Sequence, residues 1–172
     1  MKMMNGLIVR GEHPEDRTSI RFVHEKAFAR RDEADLVDGL RNQGGVLASF
    51  IAEIERRIVG HVLYSRMSIE TADMPVPAVA LAPVAVLPEM QGQGVGTQMI
   101  RHGLECLRGA GEQIVIVLGN SKYYARFGFS TSKARSLTSP FPSESLMALE
   151  FKPGILDDLH GEVRYPDAFG LL

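Results

Sequence analysis

Tryptophan is absent from this sequence, and cysteine occurs once, at Cys106. A lone thiol excludes an intramolecular disulfide and any metal site built on several cysteines, and it fits a reducing cytoplasm. Charge of one sign is also scarce: the formal net charge is −2, with 23% charged and 45% hydrophobic residues. That balance is globular and gives no global pull toward nucleic acid or anionic lipid. The basic pair Arg30-Arg31 runs straight into Asp32, Glu33 and Asp35, which is the pattern of a solvated helix start rather than a DNA-binding patch. Long hydrophobic runs are missing too. Met1-Lys2-Met3-Met4 is broken by Asn5-Gly6 before a signal-peptide core develops. The longest apolar run, Met74 to Leu87, carries Pro75, Pro77 and Pro83, which suits a buried strand better than a membrane helix. Without repeats or low-complexity tails, residues 1–172 are expected to form one cytoplasmic domain with no membrane or nucleic-acid partner.

What the chain does have is a glycine-rich turn in VAVLPEMQGQGVGTQMIR, from Val84 to Arg101. Val84, Ala85 and Val86 end an apolar strand, Pro88 stops it, and Gly92, Gly94 and Gly96 precede a helical pattern. Glycines remove Cβ atoms where a ligand approaches the backbone, and a helix start supplies unpaired N–H groups and a positive dipole end. A phosphorylated cofactor is the natural guest. A dinucleotide fingerprint fits poorly, because the sixth place counted from Gly92 is Thr97 rather than glycine. A P-loop fails, because Val95 or Thr97 stands where its lysine belongs.

Gln91, Gly94 and Gly96 instead match the Gln/Arg-x-x-Gly-x-Gly/Ala signature of the GCN5-related N-acetyltransferases, the GNAT superfamily, which this segment resembles. The later block Tyr123-Tyr124-Ala125-Arg126-Phe127-Gly128-Phe129 is similar to that family's Tyr-x-x-x-Gly-Phe motif, with Tyr124 in register. Including the closing MALEF and VRYPDAF segments, the chain is similar to the YhbS-like subgroup of bacterial GNAT proteins.

The resemblance implies a single-domain α/β fold, a mixed sheet with flanking helices and a splayed, bulged central strand. It implies acetyl-CoA as cosubstrate, no metal, and an unidentified amine acceptor; a homodimer stays open. By the same resemblance, Gln91, Gly92, Gln93, Gly94, Val95, Gly96 and Thr97 would hold the pyrophosphate. Val84, Ala85 and Val86 would pair with the pantetheine arm, and Tyr124 would stand by the sulfur. A non-catalytic acyl-CoA sensor and a binder of another nucleotide remain alternatives.

Periodicity agrees with an α/β domain. Leu7-Ile8-Val9 reads as a strand; Ile20, Val23, His24, Ala27 and Phe28 form one helical stripe, and Ala34, Leu36, Val37 and Leu40 another. Leu47 to Glu55 and Ile58 to Ile69 read as a hairpin, followed by Val79 to Val86 with a break in pairing expected at Pro83. Val95, Met99, Ile100, Gly103, Leu104 and Leu107 make the next helix's buried side, with Cys106 as a small core or boundary residue without a nearby base. Ile114 to Leu118 is a buried strand reached by a crossover long enough for a parallel pairing. Thr131 to Ser145 reads as a loop bordering the acceptor, and Leu146 to Phe151 and Val163-Arg164-Tyr165 as late strands.

Acetyl transfer needs a neutral amine, a stabilised oxyanion and a proton for the leaving thiolate. A lysine-like amine is neutral about once in a thousand at pH 7, a handicap of roughly 4 to 5 kcal/mol. No carboxylate lies in Val79 to Val86 or Ile114 to Leu118 to relieve it. Glu33, His61, Glu70 and Asp73 are candidates by residue type alone, with Glu33 and Asp73 reading as solvated ends and His24 and His61 as packed, structural histidines. No base is named. Backbone N–H groups near Val84 or Val86 suit the oxyanion. Tyr124 suits the proton donor, with Tyr123 packing or lining the acceptor side and Asn120 of uncertain equivalence to a cofactor-binding asparagine.

Overall fold

Apolar residues at alternate positions, broken by short charged turns, produce an eight-stranded mixed sheet in the computed structural model, which describes residues 5–141 and 145–171. The Met1 to Met4 segment and Pro142 to Glu144 of the expected loop lie outside the described residues. Four strands form an antiparallel meander: β1 (Ile8–Gly11), β2 (Val46–Ile54), β3 (Arg57–Glu70) and β4 (Val76–Val86). The β2–β3 hairpin turns through Glu55 and Arg56, whose φ values of 48° and 66° give the left-handed pair that a two-residue hairpin loop requires. Two helices, α1 (Arg17–Phe28) and α2 (Asp32–Asn42), link β1 to β2. A third, α3 (Val95–Gly109), crosses from β4 to β5 (Ile114–Leu118), which runs parallel to β4.

The last third of the chain completes the sheet. α4 (Ser121–Tyr124) leads to β6 (Leu137–Thr138) and β7 (Leu146–Glu150), and β7 pairs antiparallel with β5. β8 (Gly161–Arg164) lies against the far end of β3 and runs parallel to β6. The expected loop from Thr131 therefore contains a turn of 3₁₀ helix at Ser132–Ala134 and a short strand. Its Ser and Thr content hid two apolar anchors, Ala134 and Leu137, both buried in the core.

Helices cover both faces. Ile20, Leu36, Val37 and Leu40 of α1 and α2 pack with Ile51, Leu63 and Met67. On the other face Met99, Ile100, Leu104 and Leu107 of α3 pack with Val62, Tyr64 and Val115. Burying one such aliphatic side chain contributes about 1.5 to 3 kcal/mol, which is why the i, i+3, i+4 stripe of α3 fixes its roll on the sheet. Close approach matters at Gly103, where a Cβ would lie 2.3 Å from the Tyr64 ring. That ring is fully buried, and its hydroxyl donates to the Ile100 carbonyl at 3.0 Å. Cys106 is not a core or boundary residue: it sits off the buried stripe, faces solvent, and has His102 Nε2 3.8 Å from its sulfur.

The sheet opens at its centre. β4 and β5 pair only at Val79 with Val115 and Ala80 with Ile116, then diverge. On the other side of β4 the register with β3 slips between Val62–Val84 and Tyr64–Leu81, so β4 carries an extra residue around Ala82 and Pro83. Proline cannot donate a ladder hydrogen bond, so the slip falls where pairing is weakest. The Ala82–Pro83 peptide is cis.

Candidate active site

The glycine turn, the splay and the tyrosine helix meet at one end of the sheet. The first-turn N–H groups of α3 have no intrahelical partners by construction, and the turn before them is folded by backbone that glycine tolerates. Gly92 has φ 73°, and Gly94, directly before Val95, has φ 86°. A β-branched residue at Gly94 would be a conformational outlier. Gln91 Nε2 donates to the Val86 carbonyl at 3.0 Å and Gln93 Nε2 to the Glu89 carbonyl at 3.0 Å, tying the turn to the end of β4. In this structure those two side chains shape the turn from behind, while Val95 and Thr97 are buried beneath it.

Beside the splay lies a cavity of about 420 Å³. β4 contributes Ala80 to Val84 and β5 contributes Ile116 to Leu118, with Tyr124 at one side. Phe28, Glu33 and Leu36 enter from α1 and α2, and Phe141, Tyr165 and Phe169 close the wall. From Leu81 to Val86 the edge of β4 that faces β5 has no strand partner, so its backbone groups are open to a ligand.

Tyr124 reaches this cavity because Gly119 lets its ring lie on the backbone: a Cβ there would come within 2.6 Å of Tyr124 Cε2. Burial pushes the Tyr124 hydroxyl up to about 12, with Tyr123 adding to the shift, so it stays protonated at neutral pH. The preceding Asn120 caps α4, its side-chain oxygen accepting from the backbone N–H groups of Lys122 at 2.9 Å and Tyr123 at 3.1 Å. A short helix holds its orientation through such a cap.

Of the two expectations for Tyr123, packing holds and lining the acceptor side does not. Its hydroxyl lies 3.4 Å from Thr97 Oγ1, and a Cβ on Gly96 would come 3.1 Å from the same oxygen. The side chain thus belongs to the glycine turn. Arg126 stands over the Tyr123 ring at 4.3 Å and sends Nη1 to within 3.4 Å of Thr97 Oγ1. This cation beside the α3 start was missed in the sequence, although an arginine among aromatic residues one turn after the tyrosines was the signal for it.

Among the four acid–base candidates, the structure brings only Glu33 to the cavity. It is not a solvated end: its side chain is 8% exposed, and both carboxylate oxygens accept from Arg30, whose own side chain is 58% exposed. Asp73 lies in an exposed turn, and Glu70 accepts from Ser68 Oγ far along β3.

His61 and His24 form a sealed chain away from the cavity. The Ser49 hydroxyl donates to Glu12, so Ser49 Oγ accepts from His61 Nε2 at 2.8 Å; His24 Nε2 then donates to His61 Nδ1 at 2.8 Å. This leaves His24 Nδ1 as a buried acceptor without a partner. Burial, then the charges of His61 and Arg41, depress His24 to about 2, and burial also lowers His61. Burial alone would raise Glu12, but hydrogen bonds from His61 and Ser49 with the charge of Arg41 hold it near 2. The chain pins α1 to β2 and β3. Among the described residues no three His, Cys, Asp or Glu side chains are grouped to hold a metal ion, and no helix is long and apolar enough to cross a membrane.

Residues 9–132 match the family model described as "Acetyltransferase (GNAT) domain". The sequence is 40% identical over 131 residues to the uncharacterised N-acetyltransferase YjhQ of Escherichia coli, spanning 74% of this chain and 72% of YjhQ. It is 30% identical over 166 residues to the uncharacterised N-acetyltransferase YhbS of the same species, spanning 95% and 98%. The fold superposes on the crystal structure of YhbS in complex with CoA at TM-score 0.89, 27% identity, covering 99% of this chain and 95% of that one. It superposes on a GNAT family acetyltransferase from Brucella melitensis in complex with acetyl-CoA at TM-score 0.80, 34% identity, covering 95% and 97%.

Proposed function

The chain belongs to the GNAT family of acetyltransferases, and from that premise we propose that it moves an acetyl group from acetyl-CoA directly to the amine of a small molecule or peptide within a ternary complex. One observation carries the reading: the β4–β5 splay opens between a glycine-headed helix start and a buried, protonated tyrosine, and the cavity along it extends to α1 and α2, where a second substrate can sit. Two substrates side by side need no covalent enzyme intermediate, and the only cysteine is on the outer face of α3.

Each part has a physical task. The backbone from Gly92 to Thr97 and the α3 dipole receive the pyrophosphate, and Arg126 adds a cation at the same end. The unpaired edge at Val84, Ala85 and Val86 takes the pantetheine amides as a short additional strand. A backbone N–H of that edge faces the thioester oxygen as it becomes an oxyanion. The amine enters as its ammonium ion and gives one proton to solvent, and its nitrogen attacks the thioester carbon. The tetrahedral intermediate collapses as the carbon–sulfur bond breaks, and the nitrogen gives its second proton to solvent, from which Tyr124 is later reprotonated. Tyr124 then gives its proton to the departing thiolate, a role worth roughly 10² to 10⁴ in rate. The CoA and acetyl-CoA complexes of YhbS and the Brucella protein support the cofactor assignment, since this chain covers nearly the whole of each.

The test is to incubate the purified protein with acetyl-CoA and a panel of amines, following thiol release by absorbance and acetylated amine by mass spectrometry. Transfer that gives intersecting double-reciprocal lines supports the ternary complex. Tight acetyl-CoA binding with no acetylated amine would point to the sensor reading instead.

A further inference from the structure

We propose that the acceptor is a small primary amine with a single charge and an apolar, preferably aromatic, body, and that Glu33 selects it by receiving its ammonium group. This rests on the acetyltransferase reading above and assigns the second substrate of the same site. Among the described residues Glu33 is the only charged side chain lining the cavity beside the splay, and it is almost fully buried. The remaining wall is hydrocarbon and aromatic: Phe28, Leu36, Phe141, Tyr165 and Phe169 line it together with the β4 and β5 residues. At about 420 Å³ the space is near the lower end of the range for small-molecule sites, roughly 300 to 1,000 Å³.

Charge accounting then selects the guest. A buried ammonium needs a paired anion, and the described lining of the cavity offers one carboxylate. A polyamine would bring a second charge into an apolar wall without a partner. A peptide would bring backbone amides that compete with the pantetheine arm for the open β4 edge and otherwise meet only the tyrosine hydroxyls. The Tyr165 hydroxyl is buried without a hydrogen bond of regular geometry, Ser139 engaging it only loosely, so one further polar group on the acceptor can be met there.

Arg30 is compatible with this role. It takes part of the carboxylate's lone-pair capacity through Nε and Nη2, but its side chain is more than half exposed, so it can swing into solvent when an ammonium arrives. Arg30 also gives the buried Glu33 carboxylate a partner while the cavity is empty. Of the described residues in the Thr131 to Ser145 segment, Phe141 is the one that lines the cavity.

The experiment compares 2-phenylethylamine, spermidine and a lysine-containing tripeptide as acceptors at saturating acetyl-CoA. We expect 2-phenylethylamine to have at least tenfold higher kcat/KM than the other two. Glu33→Gln should raise its KM at least tenfold, leaving the acetyl-CoA KM and the inhibition constant of the uncharged analogue 2-phenylethanol within about twofold. That last readout separates loss of charge recognition from loss of the pocket. Arg30→Ala, an exposed change, should leave the amine KM unchanged or lower. If Glu33→Gln does not fold, calorimetry of 2-phenylethylamine and 2-phenylethanol on CoA-saturated unaltered protein decides the matter. Preference for the amine supports the proposal and equal affinity overturns it. A preference for spermidine or the peptide, or an unchanged KM in Glu33→Gln, also overturns it while leaving acetyl transfer intact. Absence of acetyl-CoA binding in the unaltered protein would overturn the acetyltransferase reading itself.

Discussion

Acidification should weaken this protein through its buried histidines well before its carboxylates titrate. His24 is fully buried and depressed from 6.5 to about 2, so it stays neutral in the folded state while the unfolded chain takes up a proton. A base whose folded pKa lies below its unfolded one contributes stability that is complete above the unfolded value and is lost as pH falls. Between about pH 7 and pH 5 the unfolded histidine goes from mostly neutral to nearly all charged, so His24 alone removes about 2 kcal/mol of unfolding free energy. His61, lowered for the same reason, adds to the loss. Urea unfolding at the two pH values measures it, with His24→Leu as the comparison. The variant should be less stable at neutral pH by about 1 to 3 kcal/mol, because His61 Nδ1 loses its donor, yet its further loss on acidification should be smaller by about 2 kcal/mol. Stability that is flat over this range in the unaltered protein, or an equal decline in both, would refute the assignment of a neutral His24.

Two further outcomes follow from the site. Gly96→Val would put a Cβ 3.1 Å from the Tyr123 hydroxyl and 3.7 Å from Val86 Cγ2, with its branches over the start of α3, so calorimetry should show CoA affinity reduced at least tenfold with the circular dichroism spectrum retained; unchanged affinity would remove the pyrophosphate from this turn. Asn120→Ala uncaps α4 at a cost of about 0.5 to 2 kcal/mol and should lower kcat with CoA affinity nearly constant, whereas a selective loss of CoA affinity would make Asn120 a cofactor contact.

The parts of the fold legible in the sequence were those with strong local causes. The α3 stripe, the β2–β3 hairpin and the Pro83 interruption each follow from periodicity or from proline's missing donor, and each stands where expected. The Gln91, Gly94 and Gly96 pattern led to the family, and the glycine conformations agree with a tight turn before α3. Features that depend on elements far apart in the chain were not legible. Glu33 looked like one acid of a charged helix start; its spacing from Leu36, Val37 and Leu40 puts it on the buried stripe of α2, but that this stripe meets the splay is set by packing. Tyr123 and Tyr124 are adjacent and chemically identical, so their division between glycine turn and cavity depends on the helical rotation that Asn120 and Gly119 set. The Glu12–Ser49–His61–His24 chain joins three elements and the loop after β1, and left no pattern in the sequence beyond individual polar residues.

The central claim is that acetyl passes to an amine at the splay with Tyr124 protonating the leaving sulfur, and steady-state kinetics of Tyr124→Phe against Tyr123→Phe tests it most directly. Phenylalanine keeps the ring that packs on Gly119 and removes only the proton. With acetyl-CoA and the best amine of the panel, Tyr124→Phe should lower kcat at least tenfold, with acetyl-CoA affinity nearly unchanged. Tyr123→Phe, which loses a contact with Thr97 at the glycine turn, should chiefly raise the acetyl-CoA KM. Full activity in Tyr124→Phe, or equal kinetic defects in the two variants, would contradict the account.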